Sequence, residues 1–259
     1  SNAIVPHPRM IDGLSDIQYN NTDVIVIPSW FDLITQKEKV DVDLYLDLSG
    51  NFLDAASTRN HKPIFATIPQ SIPPESLDRV IDFFIDRDVT SFIVDSHGRS
   101  IMSGSWGRAF QRNLTGYGIE KECVLSTMNT YQGVMRKDVT RSEAKDFIGF
   151  TAGFDIIGGK YVGKYHGNFD KEVKKEDFGR VFDRDTYTYL KRTCSKEEKQ
   201  IINEQTVRSQ NKEFENVKAA IKESAVKPLL ETKELSKETL DIIMSFNDRS
   251  RSTKLDEFI

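Results

Sequence analysis

The segment KPIFATIPQSIPPESLDRVIDFFIDRDVTSFIVDSHG, residues 62–98, predicts a β-strand, an α-helix and a second β-strand in succession. Residues 62–70 and 90–98 are short apolar runs, rich in β-branched and aromatic residues and bounded by polar, Gly or Pro residues, as buried strands are. Between them, Pro74 suits a first helical turn, and apolar residues recur at helical spacing at Leu77, Val80, Ile81 and Phe84. The segment therefore predicts two parallel strands joined by a right-handed helical crossover.

The same alternation extends over the first two-thirds of the chain. Further strands are predicted at 23–30, 43–50, 122–130 and, more weakly, 154–159, and a helix is predicted at 141–152, after Ser142. No G-x-G-x-x-G motif follows the early strands, which disfavours a dinucleotide-binding sheet. Several predicted strands instead end in polar residues. The strand ends near Ser49, Gln70, Asp95 and Asn129 are expected on one face of the fold. This pattern predicts an α/β fold, a TIM-like (β/α)₈ barrel that is compressed or incomplete.

The predicted domains are the barrel core over residues 4–167 and a mainly helical C-terminal extension over residues 168–259. From about residue 195 the chain is rich in Lys, Glu and Gln. Its apolar positions predict one or two helices packed by one narrow face, at Ile201, Val207, Phe214, Val217 and Ile221, and Ser236 is expected to begin a further helix. Ser1-Asn2-Ala3 is typical of a cleaved purification tag, and Ile4 follows in place of Met, so the natural chain is expected to be longer.

Composition narrows the classes of partner. The chain has 36 Lys and Arg against 40 Asp and Glu, a net charge of −4, so no dominant basic surface is expected, although a local basic patch is compatible with this balance. Its two cysteines, Cys123 and Cys194, lie far apart, which predicts a reducing, cytoplasmic compartment and no disulfide framework. No apolar run has the length of a membrane span and no signal peptide is visible, so no membrane partner is expected.

Three carboxylates at predicted strand ends are candidates for chemistry: Asp47, Asp95 and Asp155. A carboxylate can trap a sugar carbon or handle a proton. Beside Asp95, His97 could exchange a proton and Arg99 could bind a phosphate. The alternative for Asp95 is an aspartate that caps its own turn, and for Asp155 a residue that caps the preceding helix.

Four stretches within residues 23–163 resemble, in order, the tRNA-guanine transglycosylase family and its archaeal and DNA-modifying relatives: DVIVIPSWFDLI, LDLSGNFLD, IFATIPQS and DFIGFTAGFDIIGGKYVG. Those proteins are (β/α)₈ barrels that exchange a guanine for a 7-deazaguanine base. The resemblance implies that Gln70 recognises the base and that Ser49 and Gly50 belong to a substrate-binding turn. It implies base exchange through a carboxylate nucleophile, if the protein is active.

The chain also departs from the family pattern. Leu48 stands where the family turn begins with an aspartate, and Gly158 stands where the last strand carries its nucleophilic aspartate. The three clustered cysteines of the family zinc site are absent from the sequence, so neither zinc nor another cofactor is expected. Three hypotheses remain open: an active transglycosylase with Asp95 or Asp155 as nucleophile, a catalytically degenerate barrel that binds nucleic acid or a partner, and an unrelated barrel enzyme acting on a small phosphorylated metabolite.

Two segments combine aromatic and basic residues. GGKYVGKYHG (158–167) is the stronger nucleic-acid candidate, through Lys160, Tyr161, Lys164 and Tyr165; its alternative is a solvated loop. SGSWGRAFQRNL (103–114) could stack bases on Trp106 and Phe110, or bury both as the core face of a helix. The expected partners are a nucleic acid (tRNA or DNA) and a purine-like small molecule, with assembly as an oligomer or partner subunit left open.

Overall fold

The computed structural model describes residues 5–36, 39–59, 62–100, 104–116, 124–130, 139–159, 178–241 and 243–244. Its helices are α1 (Pro8–Asn21), α2 (Phe31–Ile34), α3 (Val42–Ser57), α4 (Leu77–Ile85), α5 (Gly104–Gly116), α6 (Lys145–Ile148), α7 (Lys196–Lys222) and α8 (Val226–Glu231). Its strands are β1 (Ile25–Val26), β2 (Thr35–Gln36), β3 (Lys39–Val40), β4 (Ile64–Pro69), β5 (Ser91–Asp95), β6 (Leu125–Thr130), β7 (Arg141–Glu143), β8 (Ile156–Gly159), β9 (Phe178–Asp183) and β10 (Thr188–Thr193).

The chain forms two compact units, one within Ser1–His97 and Ser103–Met128 and the other within Gly98–Met102 and Asn129–Asp248. The domain boundary predicted after residue 167 lies outside the described residues and stays a prediction.

The central sheet has the order β1-β4-β5-β6-β8 and curls like half of a barrel. Neighbours follow the order of the chain, and the pairs β1–β4, β4–β5 and β5–β6 are parallel. The described residues form five strands of this sheet, whereas a complete (β/α)₈ barrel has eight. A mixed α/β fold is confirmed.

The strand–helix–strand unit read from residues 62–98 is present. A short 3₁₀ turn, Pro74–Ser76, leads into α4, and β4 and β5 pair from Phe65 opposite Ser91 to Pro69 opposite Asp95. The four apolar residues of the predicted helical stripe, Leu77, Val80, Ile81 and Phe84, are fully buried. The helical spacing of the apolar residues was sufficient to predict α4, because one face of this helix packs on the core and the other faces water.

The prediction of a strand at 43–50 is wrong, since these residues lie in α3. Asp41 caps this helix by accepting a hydrogen bond from the Leu44 N–H at 3.0 Å. The apolar residues Tyr45, Leu48 and Phe52 recur at helical spacing and are buried. A short apolar run fits a buried strand or a buried helix equally well, and here the cap and the longer helical pattern decide.

A side chain from α1 protects the open edge of the sheet. Gln18 donates from Nε2 to the Val26 carbonyl at 2.8 Å and accepts from the Val26 N–H at Oε1 at 2.7 Å. Val26 lies in β1, the outermost strand of the order, whose outward backbone groups would otherwise be free to pair with another chain. The Gln18 side-chain amide therefore makes the two hydrogen bonds that a neighbouring strand would make with Val26.

The second unit contains an antiparallel sheet of order β7-β10-β9. The helix predicted at 141–152 is shorter than expected: Arg141–Glu143 pairs with β10, α6 begins at Lys145, and Gly149–Ala152 is a 3₁₀ turn. The hairpin formed by β9 and β10 was not predicted from the sequence. On α7, the Thr206 hydroxyl donates to the Arg180 carbonyl at 2.7 Å and accepts from the Phe182 N–H at 3.3 Å, which protects the outer edge of β9.

The buried face of α7 agrees with the predicted one at Val217, with Phe214 half-buried, and differs from it elsewhere. Ser195 and Glu198 form a capping box at its start, and the buried residues are Ile202, Glu213, Val217 and Ala220. Ile201, Val207 and Ile221, which were expected to pack, are more than 40 % exposed.

Among the described helices, none is both long and apolar enough to cross a membrane.

Asp146 is a buried carboxylate at the start of α6. The Tyr189 hydroxyl lies 2.8 and 2.9 Å from its two oxygens, the Phe147 N–H donates to Oδ1 at 2.9 Å, and Gln210 donates to the Tyr189 hydroxyl at 2.7 Å. Burial raises the pKa of Asp146 above its usual range, and the hydrogen bonds from Tyr189 and Phe147 only partly oppose this effect.

This raised pKa predicts how stability depends on pH. Because the folded-state pKa of Asp146 exceeds the unfolded value of about 4, its contribution to stability is fully present below pH 4 and is lost as pH rises through the folded pKa. The side chain of Asp146→Asn stays neutral, so we expect its melting temperature to rise relative to that of the wild type as the pH is raised above about 4. The exposed Asp185→Asn should show no such gain. Thermal melts at a series of pH values measure both, and a constant difference for Asp146→Asn would contradict the expectation.

Candidate functional site

The carboxyl ends of β4 and β5 place Gln70 and Asp95 side by side. Gln70 follows β4 directly and Asp95 is the last residue of β5, and both are buried. The Gln70 N–H donates to the Asp95 carbonyl at 2.9 Å, which continues the parallel ladder by one step. The expectation that these two residues lie at the same edge of the sheet is confirmed.

Asp95 is joined to His97 by two contacts of one carboxylate oxygen. Oδ1 accepts a hydrogen bond from the His97 N–H at 3.2 Å and lies 3.3 Å from the imidazole Nδ1. The first contact is an Asx turn, the local role that the sequence allowed for Asp95. The second brings a buried carboxylate to a half-exposed imidazole, whose side chain is 37 % exposed.

Left-handed backbone is concentrated at this edge. Of the six described non-glycine residues with positive φ, three end helices or turn a hairpin: Asp88, Tyr187 and Ser224. Of the other three, Trp30 (φ 53°) follows β1 and His97 (φ 49°) follows β5 in the first unit, whereas Asn129 (φ 56°) lies near the end of β6 in the second unit. Such conformations cost of order 1 kcal/mol or more each and are concentrated at ligand sites.

Several polar atoms near these strand ends are buried and have no hydrogen-bond partner among the described residues. They are the indole Nε1 of Trp30 and the hydroxyls of Ser71 and Ser96. A buried polar group without a partner costs about 1–3 kcal/mol, and a bound ligand or an ordered water can supply the missing partner. The edge therefore offers polar groups that a ligand could satisfy.

The residues that the resemblance placed in a substrate-binding turn lie elsewhere. Ser49 and Gly50 are inside α3, where Ser49 is buried and a Cβ on Gly50 would stand 3.4 Å from the Phe83 ring. Asp47 is on the exposed face of the same helix. The expectation that Ser49 and Asp47 end a strand is wrong, because the segment around them is helical.

The remaining candidates have varied positions. Arg99 is exposed in the turn after β5, and Asp155 is exposed immediately before β8. Asp155 therefore precedes a strand, whereas Gln70 and Asp95 end theirs. The predicted nucleic-acid contacts Lys160, Tyr161, Lys164 and Tyr165 lie outside the described residues.

The aromatic pair of α5 belongs to the core. Trp106 and Phe110 are buried and stack with ring centroids 5.3 Å apart, while Arg108 and Arg112 point to solvent. The Trp106 indole donates to the Ile72 carbonyl at 2.9 Å. This confirms the core alternative for SGSWGRAFQRNL.

Trp30 and Phe31 were not identified as site residues from the sequence. The Phe31 ring lies against the His97 imidazole, with centroids 3.4 Å apart and planes inclined by 38°. The available signal was the aromatic pair directly after Pro28-Ser29, where a predicted strand ends. That signal carries no information about a partner so distant in the chain.

A cavity of about 310 Å³ lies between α1 and α3, and none of the residues at the strand ends lines it. Its walls include Ile11, Asp12, Asn51 and Asp54. None of the buried polar atoms that lack a partner among the described residues lines it. The strand ends are therefore the better candidate site.

The described residues contain no group of three His, Cys, Asp or Glu side chains that could hold a metal ion. The fold and the site define an α/β protein whose parallel sheet carries an Asp–His pair at its carboxyl edge. Comparison of the chain with protein-family models, with curated proteins and with solved structures found no match in any of the three.

Proposed function

We propose that the first unit recognises a purine or deazapurine base, free or in a nucleic acid, at the carboxyl ends of β4 and β5. The observation that carries this proposal is the adjacency of Gln70 and Asp95, two buried polar residues joined by a backbone hydrogen bond at one edge. A glutamine amide both donates and accepts, as the edge of a purine requires. The resemblance to tRNA-guanine transglycosylases, which implies a base-reading role for Gln70, agrees with this proposal.

The sheet supports the finer proposal that the fold is related to a (β/α)₈ barrel. Its strands are neighbours in chain order, and candidate ligand groups follow their carboxyl ends, as in such barrels. A relationship to transglycosylases remains part of the same proposal.

Recognition is better supported than base exchange. Exchange needs a carboxylate that can reach the sugar carbon. Asp95 is only 2 % exposed and its Oδ1 is occupied by His97, while Asp47 and Asp155 do not end strands. We therefore favour a binding protein of barrel ancestry over an active transglycosylase.

Calorimetric titration with guanine and 7-deazaguanine tests the proposal. We expect the wild type to bind at least one of them and Gln70→Leu, which keeps the side-chain volume, to lose about tenfold in affinity because one or two hydrogen bonds are lost. Asp47→Asn is the control and should bind as the wild type does. Absence of binding to both bases would reject the proposal, and a loss of affinity in Asp47→Asn would contradict the placement of the site at the ends of β4 and β5.

A further inference from the structure

The imidazole of His97 is held in place although it is half exposed. Three features fix it: Asp95 Oδ1 lies 3.3 Å from Nδ1, the Phe31 ring covers one face, and the backbone is left-handed at φ 49°. A surface histidine has no need of a buried carboxylate and a covering aromatic ring. These contacts instead orient the His97 imidazole as a group that contacts a ligand is oriented.

The partner of Nδ1 sets the chemistry of the other ring nitrogen. A carboxylate accepts hydrogen bonds, so Nδ1 carries the hydrogen, and in the neutral imidazole Nε2 then has a lone pair. The Asp95 side chain is 3 % exposed, whereas that of His97 is 37 % exposed. A ligand at this edge therefore meets the imidazole before it meets the carboxylate.

We propose that His97 is the residue that contacts the base and that Asp95 is a positioning residue that acts through it. Nε2 accepts a hydrogen bond from a ring N–H, so the ligands are bases that present such a group in the plane of the ring. This inference rests on the proposed function and goes beyond it, because it transfers the direct contact from Asp95 to His97.

Two substitutions of His97 separate this role from a structural one. Asparagine adopts left-handed backbone readily, and its amide can donate to Asp95 where Nδ1 does, but it has no atom in the place of Nε2. Glutamine extends further and carries an amide near the position of Nε2. We expect His97→Asn to keep the melting temperature and lose about tenfold in guanine affinity, and His97→Gln to stay within about threefold of the wild type.

Calorimetry of guanine binding is combined with a measurement that needs no ligand. In the free protein, ¹⁵N–¹H correlation spectra of the histidine rings should show the Nδ1–H form for His97. Undiminished guanine binding by His97→Asn, or an Nε2–H form in the wild type, would overturn the inference and leave the proposed function intact. If the wild type binds no purine base, both the proposed function and the base contact of His97 are rejected. The tautomer measurement then tests only whether His97 Nδ1 donates to Asp95.

Discussion

Glu213→Leu is expected to lower the free energy of unfolding by about 3–5 kcal/mol. Glu213 is 1 % exposed and lies on the buried face of α7. Its Oε1 accepts from the Tyr187 hydroxyl at 2.9 Å and from Lys233 Nζ at 3.2 Å, and its Oε2 accepts from Asn216 Nδ2 at 2.8 Å. Removal of this carboxylate takes the counter-ion from the almost buried Lys233 ammonium, which keeps only the Arg184 carbonyl as acceptor. It also leaves the buried Tyr187 hydroxyl without its acceptor.

The partner substitution supplies the control. In Glu213→Leu combined with Lys233→Met, both charges are replaced by apolar side chains of similar size, which is often close to neutral for a buried pair. We therefore expect the double variant to be more stable than Glu213→Leu alone. Urea unfolding, with hydrogen exchange followed on peptides from residues 178–231, measures both variants. A loss under 1 kcal/mol in the single variant, or simple additivity in the double one, would contradict this account.

Phe84→Ala should destabilise the first unit by about 3–5 kcal/mol. The Phe84 ring is fully buried and makes edge contacts with Tyr45 on α3 and Phe92 on β5, with centroids 6.2 and 6.4 Å apart. The ring thus joins two helices to the sheet, and its removal leaves a cavity that none of them can close without moving.

Phe83→Ala is the matched control, since Phe83 precedes Phe84 on α4 and is only half-buried. Its ring contacts the Arg87 guanidinium, 3.8 Å from the ring centroid, near solvent. We expect a loss of about 1 kcal/mol, in the usual range for partly exposed positions. Hydrogen exchange of peptides from β4 and β5 reports on this unit, and equal losses in the two variants would show that α4 does not pack as described.

The candidate site could be found only in part from the sequence. Polar residues after two buried runs indicated Gln70 and Asp95, because parallel strands end at one edge. The contact between Phe31 and His97 and the left-handed backbone of Trp30 could not be predicted, since they depend on how distant segments meet. Ser49 does not lie in the turn that the resemblance implied, because residues 43–50, which their apolar run predicted as a strand, are helical.

By itself the sequence determined the elements whose pattern is local. The apolar stripe of α4 and the buried runs of β4 and β5 follow from periods of 3.6 and 2 residues, which neighbouring residues specify. Tertiary structure decided the fate of residues 43–50, the burial of Ile202 in place of Ile201, and the burial of Glu213. In each case the local pattern fits two outcomes of similar energy, and the groups that pack against the segment decide between them. The core decides the helix at α3, and the β9 backbone lies beside Ile202. The Lys233 ammonium compensates the buried charge of Glu213.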